Sequence, residues 1–126
     1  MTTALWLTLR YRDPDAALSW LRSLGFVERA VHRSPDPPHA VVHAELDAPG
    51  GGGLMLGPVR DNPDWPQRSG TGAAYLVVDD LDAVYVAAVE AGGRPLLAPR
   101  EQDYGGRTAT VADPEGNLWS LGTYRP

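Results

Sequence analysis

The chain repeats itself at a nearly fixed offset. Leu9, Asp13, Asp15, Ala16 and Gly25 match Leu76, Asp80, Asp82, Ala83 and Gly92, each pair 67 residues apart. Asp47 and Asp113 follow at 66, and Leu56-Gly57 and Leu121-Gly122 at 65. The order strand, helix, glycine, strand, hairpin recurs with the residues. A duplication with two short gaps predicts two similar modules, and few folds satisfy that constraint.

The clearest copy of the hairpin closes the chain. Arg107–Ala112 carries Thr108, Thr110 and Val111, which favour a strand. Asp113-Pro114-Glu115-Gly116-Asn117 is turn chemistry, because Pro presets φ and Gly supplies a positive φ. Leu118–Tyr124 then returns as a second strand.

The first module reads in the same order. Ala4–Arg12 alternates, with Leu5, Leu7, Leu9 and Tyr11 on one face and Trp6, Thr8, Arg10 and Arg12 on the other. Asp13 caps a helix through about Leu24, with Pro14 at its first position and Asp15 suited to its dipole. Gly25 ends it. Phe26–Val31 is a strand and Ser34–Pro38 a proline-rich loop. His39–Asp47 is a strand, with Val41, His43 and Glu45 on one face and Val42, Ala44 and Leu46 on the other. Gly50–Gly53 lacks the Gly-Lys-Ser/Thr ending of a phosphate loop and reads as a hairpin tip. Leu54–Gly57 is a short fourth strand.

Pro58–Gly72 is a polar, proline-rich linker in which Trp65 is stranded. In the second module Ala73–Asp79 is a strand and Leu81–Ala91 a helix. Arg94–Leu97 is a short strand, and Ala98–Gly106 a loop carrying Tyr104. Trp20 and Trp119 are assigned to core packing. The expected division is a single domain over residues 1–126, with modules at about 4–58 and 72–126 and a linker at about 59–71.

Composition removes several function classes. The chain has 126 residues, net charge −5 and no cysteine. All 11 cationic residues are arginine, and they form no basic cluster, so neither nucleic acid nor an anionic membrane is an expected partner. Without cysteine there is no disulfide framework, thiolate zinc site or thiol nucleophile. No secretory leader or membrane-spanning run stands out, so the expected location is the cytoplasm.

Two βαβββ copies, with LRYRDPDAALSWLRSLGF opening the first and DYGGRTATVADPEGNLWSLGTY closing the second, resemble the vicinal oxygen chelate superfamily. That superfamily contains glyoxalase I, the bleomycin-resistance proteins and the extradiol dioxygenases, and the likeness covers essentially the whole chain. It implies an α+β fold: two tandem modules forming a curved mixed sheet around a cup, with the helices outside. It also implies a homodimer, in some members with exchanged modules.

Metal enzymes of the superfamily place one ligand early in each module's first strand and one in each module's last strand. By the resemblance those positions here are Trp6, Ala73, Met55 and Ser120, a set unsuited to a divalent ion. The expectation is therefore a binding protein needing neither metal nor cofactor, with the enzyme question leaning towards no. Its cup would be lined by Trp6, Thr8, Arg10, Met55, Tyr75, Ser120 and Tyr124. Trp65, Tyr104 and Arg107 would come from loops. Rings and Met55 suit a planar aromatic or peptide-like organic ligand of antibiotic type, and arginine suits an acidic or carbonyl group on it. Two alternatives stay open. One is a metal-dependent lyase or dioxygenase with a displaced site at His39, His43 and Glu45. The other is metal-free acid–base catalysis by Tyr104, His43 or Glu45.

Overall fold

Alternation and capping resolve into two copies of one unit in the computed structural model, which describes residues 4–126. The first unit runs β1 (Trp6–Tyr11), α1 (Pro14–Arg22), β2 (Val27–Arg33), β3 (Val41–Asp47) and β4 (Gly53–Pro58). The second runs β5 (Ala73–Val77), α2 (Leu81–Glu90), β6 (Arg94–Glu101), β7 (Arg107–Ala112) and β8 (Leu118–Gly122). Strand starts keep the offsets of the matching residues: 67 from β1 to β5 and β2 to β6, 66 from β3 to β7, 65 from β4 to β8. The caps repeat as well. Asp13 accepts the Ala16 N–H and Asp80 the Ala83 N–H, so each helix starts by satisfying a free backbone donor.

Each unit folds into its own four-stranded mixed sheet, in the orders β1-β4-β3-β2 and β5-β8-β7-β6. The first strand pairs parallel with the last, and the other pairs are antiparallel. Strand alternation gives each sheet one apolar and one mixed face. Leu9, Tyr11, Ala44, Leu46, Leu54 and Leu56 of the first sheet are buried, as are Leu76, Ala109, Val111, Trp119 and Leu121 of the second. These faces join the helices in a single core. Trp20 of α1 packs on Trp119 at 6.1 Å and donates its indole N–H to the Ala88 carbonyl of α2 at 3.0 Å. Phe26 meets Trp119 edge-on at 5.7 Å. The fold is thus α+β with two tandem modules, and each helix covers its sheet on the face opposite the mixed one.

Polar contacts fasten the same seam. Asp113, 3% exposed, accepts five donors. Its Oδ2 takes the Tyr11 hydroxyl at 2.6 Å, the Asn117 side-chain amide and the Trp119 indole. Its Oδ1 takes the Glu115 and Asn117 backbone N–H groups. Burial, and then the Asp113 charge, push the Tyr11 pKa far above its ordinary value. The Glu115 carboxylate accepts the Arg12 and Asp13 N–H groups at 2.6 and 2.8 Å, tying the second module's turn to the start of α1.

Four local expectations are corrected. Leu5 lies before β1 and is 86% exposed, so it does not share the buried face. β6 does not stop at Leu97; it runs to Glu101, with register shifts between Pro95 and Leu97 and between Leu97 and Arg100. Proline at an edge strand interrupts pairing without ending it. Val41 is buried and Val42 exposed, the reverse of simple alternation, because the β2–β3 register slips between the His32–His43 and Arg33–Val41 pairs and leaves Val42 as the extra residue. His39 precedes the strand instead of joining it. Its φ is 59° and its ring nitrogen lies 3.2 Å from the Ser34 carbonyl.

Candidate functional site

The mixed faces carry the chemistry, and the chain turns them away from each other. The two buried faces share one core through Trp20, Phe26 and Trp119, so the opposite faces form two half-cups on separate sides. Nine of the ten expected site residues divide between them. Trp6, Thr8, Arg10 and Met55 of the first module lie with Trp65 of the linker on one, and Tyr75, Tyr104, Ser120 and Tyr124 of the second module on the other. Arg107 shares the helix-covered side of β7 with Ala109 and Val111 and reaches Asp82 of α2.

In the first half-cup, strand pairing sets Thr8 beside Met55, and Met55 beside Glu45. Two residue pairs further along, Arg10 lies beside Gly57. A β-carbon on Gly57 would stand 2.7 Å from Arg10 Nη1 and displace it, so the glycine lets the guanidinium lie along the sheet. The Arg10 guanidinium sits 6.0 Å from the Trp65 ring centre, a cation–π distance. Thr8, Arg10, His43, Met55, Gly57 and Trp65 enclose about 210 Å³. His43 joins the lining from the adjoining strand β3, where alternation puts it on the same face as Glu45.

The linker is strapped over this face. The Gln67 side-chain amide donates to the Thr8 carbonyl at 2.9 Å, and Arg60 donates to the Val42 carbonyl at 3.3 Å. Gln67 Oε1 is buried without a partner. Neither residue has a sequence signature, since both sit in an irregular segment. Trp65 itself is 43% exposed.

Trp6 shares the concave face but stands apart from this pocket. Its ring covers Gly53, where a β-carbon would meet it at 2.5 Å. The Arg29 guanidinium lies 5.5 Å from the ring centre and is bound through two nitrogens to Asp47. Here stacking and an ion pair order an edge position.

His43 Nε2 lies 2.9 Å from Glu45 Oε2, and the His32 and His43 rings stack at 6.0 Å. Because His39 sits in the preceding turn, the set His39, His43 and Glu45 does not assemble. Among the described residues no three His, Cys, Asp or Glu side chains gather closely enough to hold a metal ion.

The second half-cup is built differently. Tyr75 lies beside Ser120 in register, and its ring leans over Gly122. The Tyr75 hydroxyl donates to the Tyr124 carbonyl at 2.7 Å. Desolvation, and then the neighbouring Tyr104, hold its pKa above the ordinary value. Tyr104 meets Tyr124 edge-on at 5.1 Å. Ser120 Oγ lies 3.4 Å from Thr110 Oγ1. Arg107 is committed to Asp82 through two bonds of 2.9 and 3.1 Å, which hold the carboxyl below its usual range. Arg107 therefore offers no unpaired guanidinium to a ligand.

Apart from an opening of about 500 Å³ beside Trp6, Arg29 and Asp47 of the first module, the larger openings lie on the seam between the modules. One of about 400 Å³ is lined by Leu5, Leu7, Gly51–Gly53 and Tyr75 among others. Another, of about 480 Å³, runs from Pro49 to Arg125 along β5. The glycine loop rims both, and neither gathers a set of converging polar side chains. No described helix is long and apolar enough to cross a membrane.

Known proteins share this fold. An uncharacterized protein of Mycobacterium bovis is 34% identical over 102 residues, covering 71% of this chain and 63% of that protein. One of Mycobacterium tuberculosis strain H37Rv has the same identity, with 56% of its length covered. The chain thus spans less than two thirds of the length of these relatives. Among solved structures, TioX from Micromonospora sp. ML1 superposes with TM-score 0.77 at 27% identity, covering 98% of this chain and 100% of that one. A bleomycin resistance determinant encoded on transposon Tn5 superposes with TM-score 0.66 at 22% identity, covering 99% and 100%, a likeness of fold. The family model described as Glyoxalase/Bleomycin resistance protein/Dioxygenase superfamily matches residues 3–121, and the chain belongs to that superfamily.

Proposed function

We propose that the protein binds and sequesters a planar aromatic, antibiotic-like small molecule, without transforming it, in a cavity that two copies complete together. The observation carrying this reading is the lining of the first half-cup: Met55 and Trp65 beside Thr8, Arg10 and His43. Apolar and aromatic surface with a few polar anchors is the usual makeup of an organic-ligand site. At about 210 Å³ the half-cup falls below the ~300–1,000 Å³ typical of such sites. The missing wall is supplied by the second module of another copy, with Tyr75, Ser120 and Tyr124. No metal or cofactor takes part, since Trp6, Met55, Ala73 and Ser120 stand where the superfamily's metal enzymes carry ligands. The expected setting is the cytoplasm.

Native mass spectrometry with metal analysis of the same sample tests this. The expected result is a dimer without stoichiometric metal that takes up an aromatic antibiotic and releases it at unchanged mass. One divalent ion per chain, or an altered ligand mass, overturns the reading in favour of a metal-dependent lyase or dioxygenase.

A further inference from the structure

The cations of this protein are unevenly committed, and that identifies what the ligand carries. Of the arginines, only Arg10 and Arg107 are half-buried; the others are exposed. Arg107 holds Asp82. Arg10 has no carboxylate partner. A half-buried guanidinium is normally paired, because desolvating it without compensation is costly. The Arg10 guanidinium lies over the Trp65 ring, which stabilises a cation through its face without neutralising it.

The surroundings keep Arg10 available. Gly57 removes the β-carbon that would lift it from the sheet. The carboxylates on the same sheet face are already engaged, Glu45 with His43 and Asp47 with Arg29. Thr8, two residues away on the same strand face, adds a hydroxyl that donates or accepts. A guanidinium presents a planar fork that matches a carboxylate through two parallel bonds.

We infer that the ligand is an aromatic acid: its carboxylate pairs with Arg10 and Thr8, and its ring packs against Met55 and Trp65. This rests on the binding reading above and names the chemistry within it. The net charge of −5 points the other way, towards a cation. Charges beyond about 8–10 Å are largely screened at physiological salt, so the local guanidinium decides.

Titration calorimetry of the full chain with 2-naphthoate and with its neutral isostere 2-naphthamide tests the assignment. The acid should bind at least about tenfold tighter than the amide, the range for a charge-assisted hydrogen-bonded pair. Arg10→Gln should bring the two affinities together by weakening the acid far more than the amide. Gly57→Ala keeps the arginine but displaces its guanidinium, and should lessen the preference for the acid. Equal affinities in the native protein, or an Arg10→Gln variant that weakens both probes alike, would overturn the acid assignment and leave aromatic binding standing. Failure of both probes to bind the native chain overturns the assignment together with the reading beneath it.

Discussion

At the scale of single residues, Tyr11 and Asp113 form the polar joint between the modules. The Asp113 carboxylate is buried, and three of its five donors are side chains from β1, β8 and the turn before β8. Tyr11→Phe removes one donor and leaves the carboxylate undersatisfied. The expected cost is about 1–3 kcal/mol in urea unfolding at neutral pH. The pH dependence has a definite sign. Tyr11 keeps its proton in the folded state well past the point where the unfolded chain loses it, near pH 10. Its contribution is complete below that pH. Above it, stability should fall by about 1.4 kcal/mol per pH unit. Tyr75 shifts in the same direction, so Tyr11→Phe should flatten the alkaline decline without abolishing it. An unchanged alkaline slope in the variant would refute the role given to Tyr11. Alternation in ALWLTLRYR put Tyr11 on the apolar face, where it lies. Its hydroxyl partner is 102 residues away, and nothing local announces such a pair.

At the scale of elements, the helices are set by contacts too close for any β-carbon. Gly93, in the turn from α2 to β6, faces the Ala88 carbonyl and the Trp20 indole. A β-carbon there would lie 2.8 and 2.9 Å from them. Both atoms belong to the hydrogen bond joining the helices, so neither yields freely. Gly93→Ala should therefore cost about 1–3 kcal/mol, read as a lowered melting temperature. A neutral effect would mean that the α1–α2 contact is looser than described. Element identities were legible because each had its own punctuation: Asp13 and Asp80 as caps, Gly25 and Gly92 after the helices, Gly116 in the closing turn with φ 102°. What failed to show were departures from regular pairing. The extra Val42 in β3 and the shifts around Leu97 in β6 depend on the partner strand, which no window along one strand contains. For the same reason His39 looked like the first residue of a strand and turned out to precede it.

For the whole molecule, duplication fixed the architecture, and alternation fixed which residues share a face wherever the pairing is regular. Neither says which way two sheets face. That is decided by Trp20, Phe26 and Trp119 meeting across the modules, and it leaves the two mixed faces apart. The residues expected in one cup form two groups, five at the first sheet and four at the second, which a single chain does not bring together, and Arg107 lies with α2 instead. The central claim is that the ligand lies between the first module of one copy and the second module of another. Complementation tests it most directly. Met55→Trp fills the first half-cup and Ser120→Trp the second, so each homodimer should lose binding of an aromatic acid. A heterodimer of the two variants, isolated with two affinity tags, holds one cup with both substitutions and one with neither. It should recover one ligand per dimer at near-native affinity. No recovery in the heterodimer, or native binding by either variant alone, would contradict the shared cup.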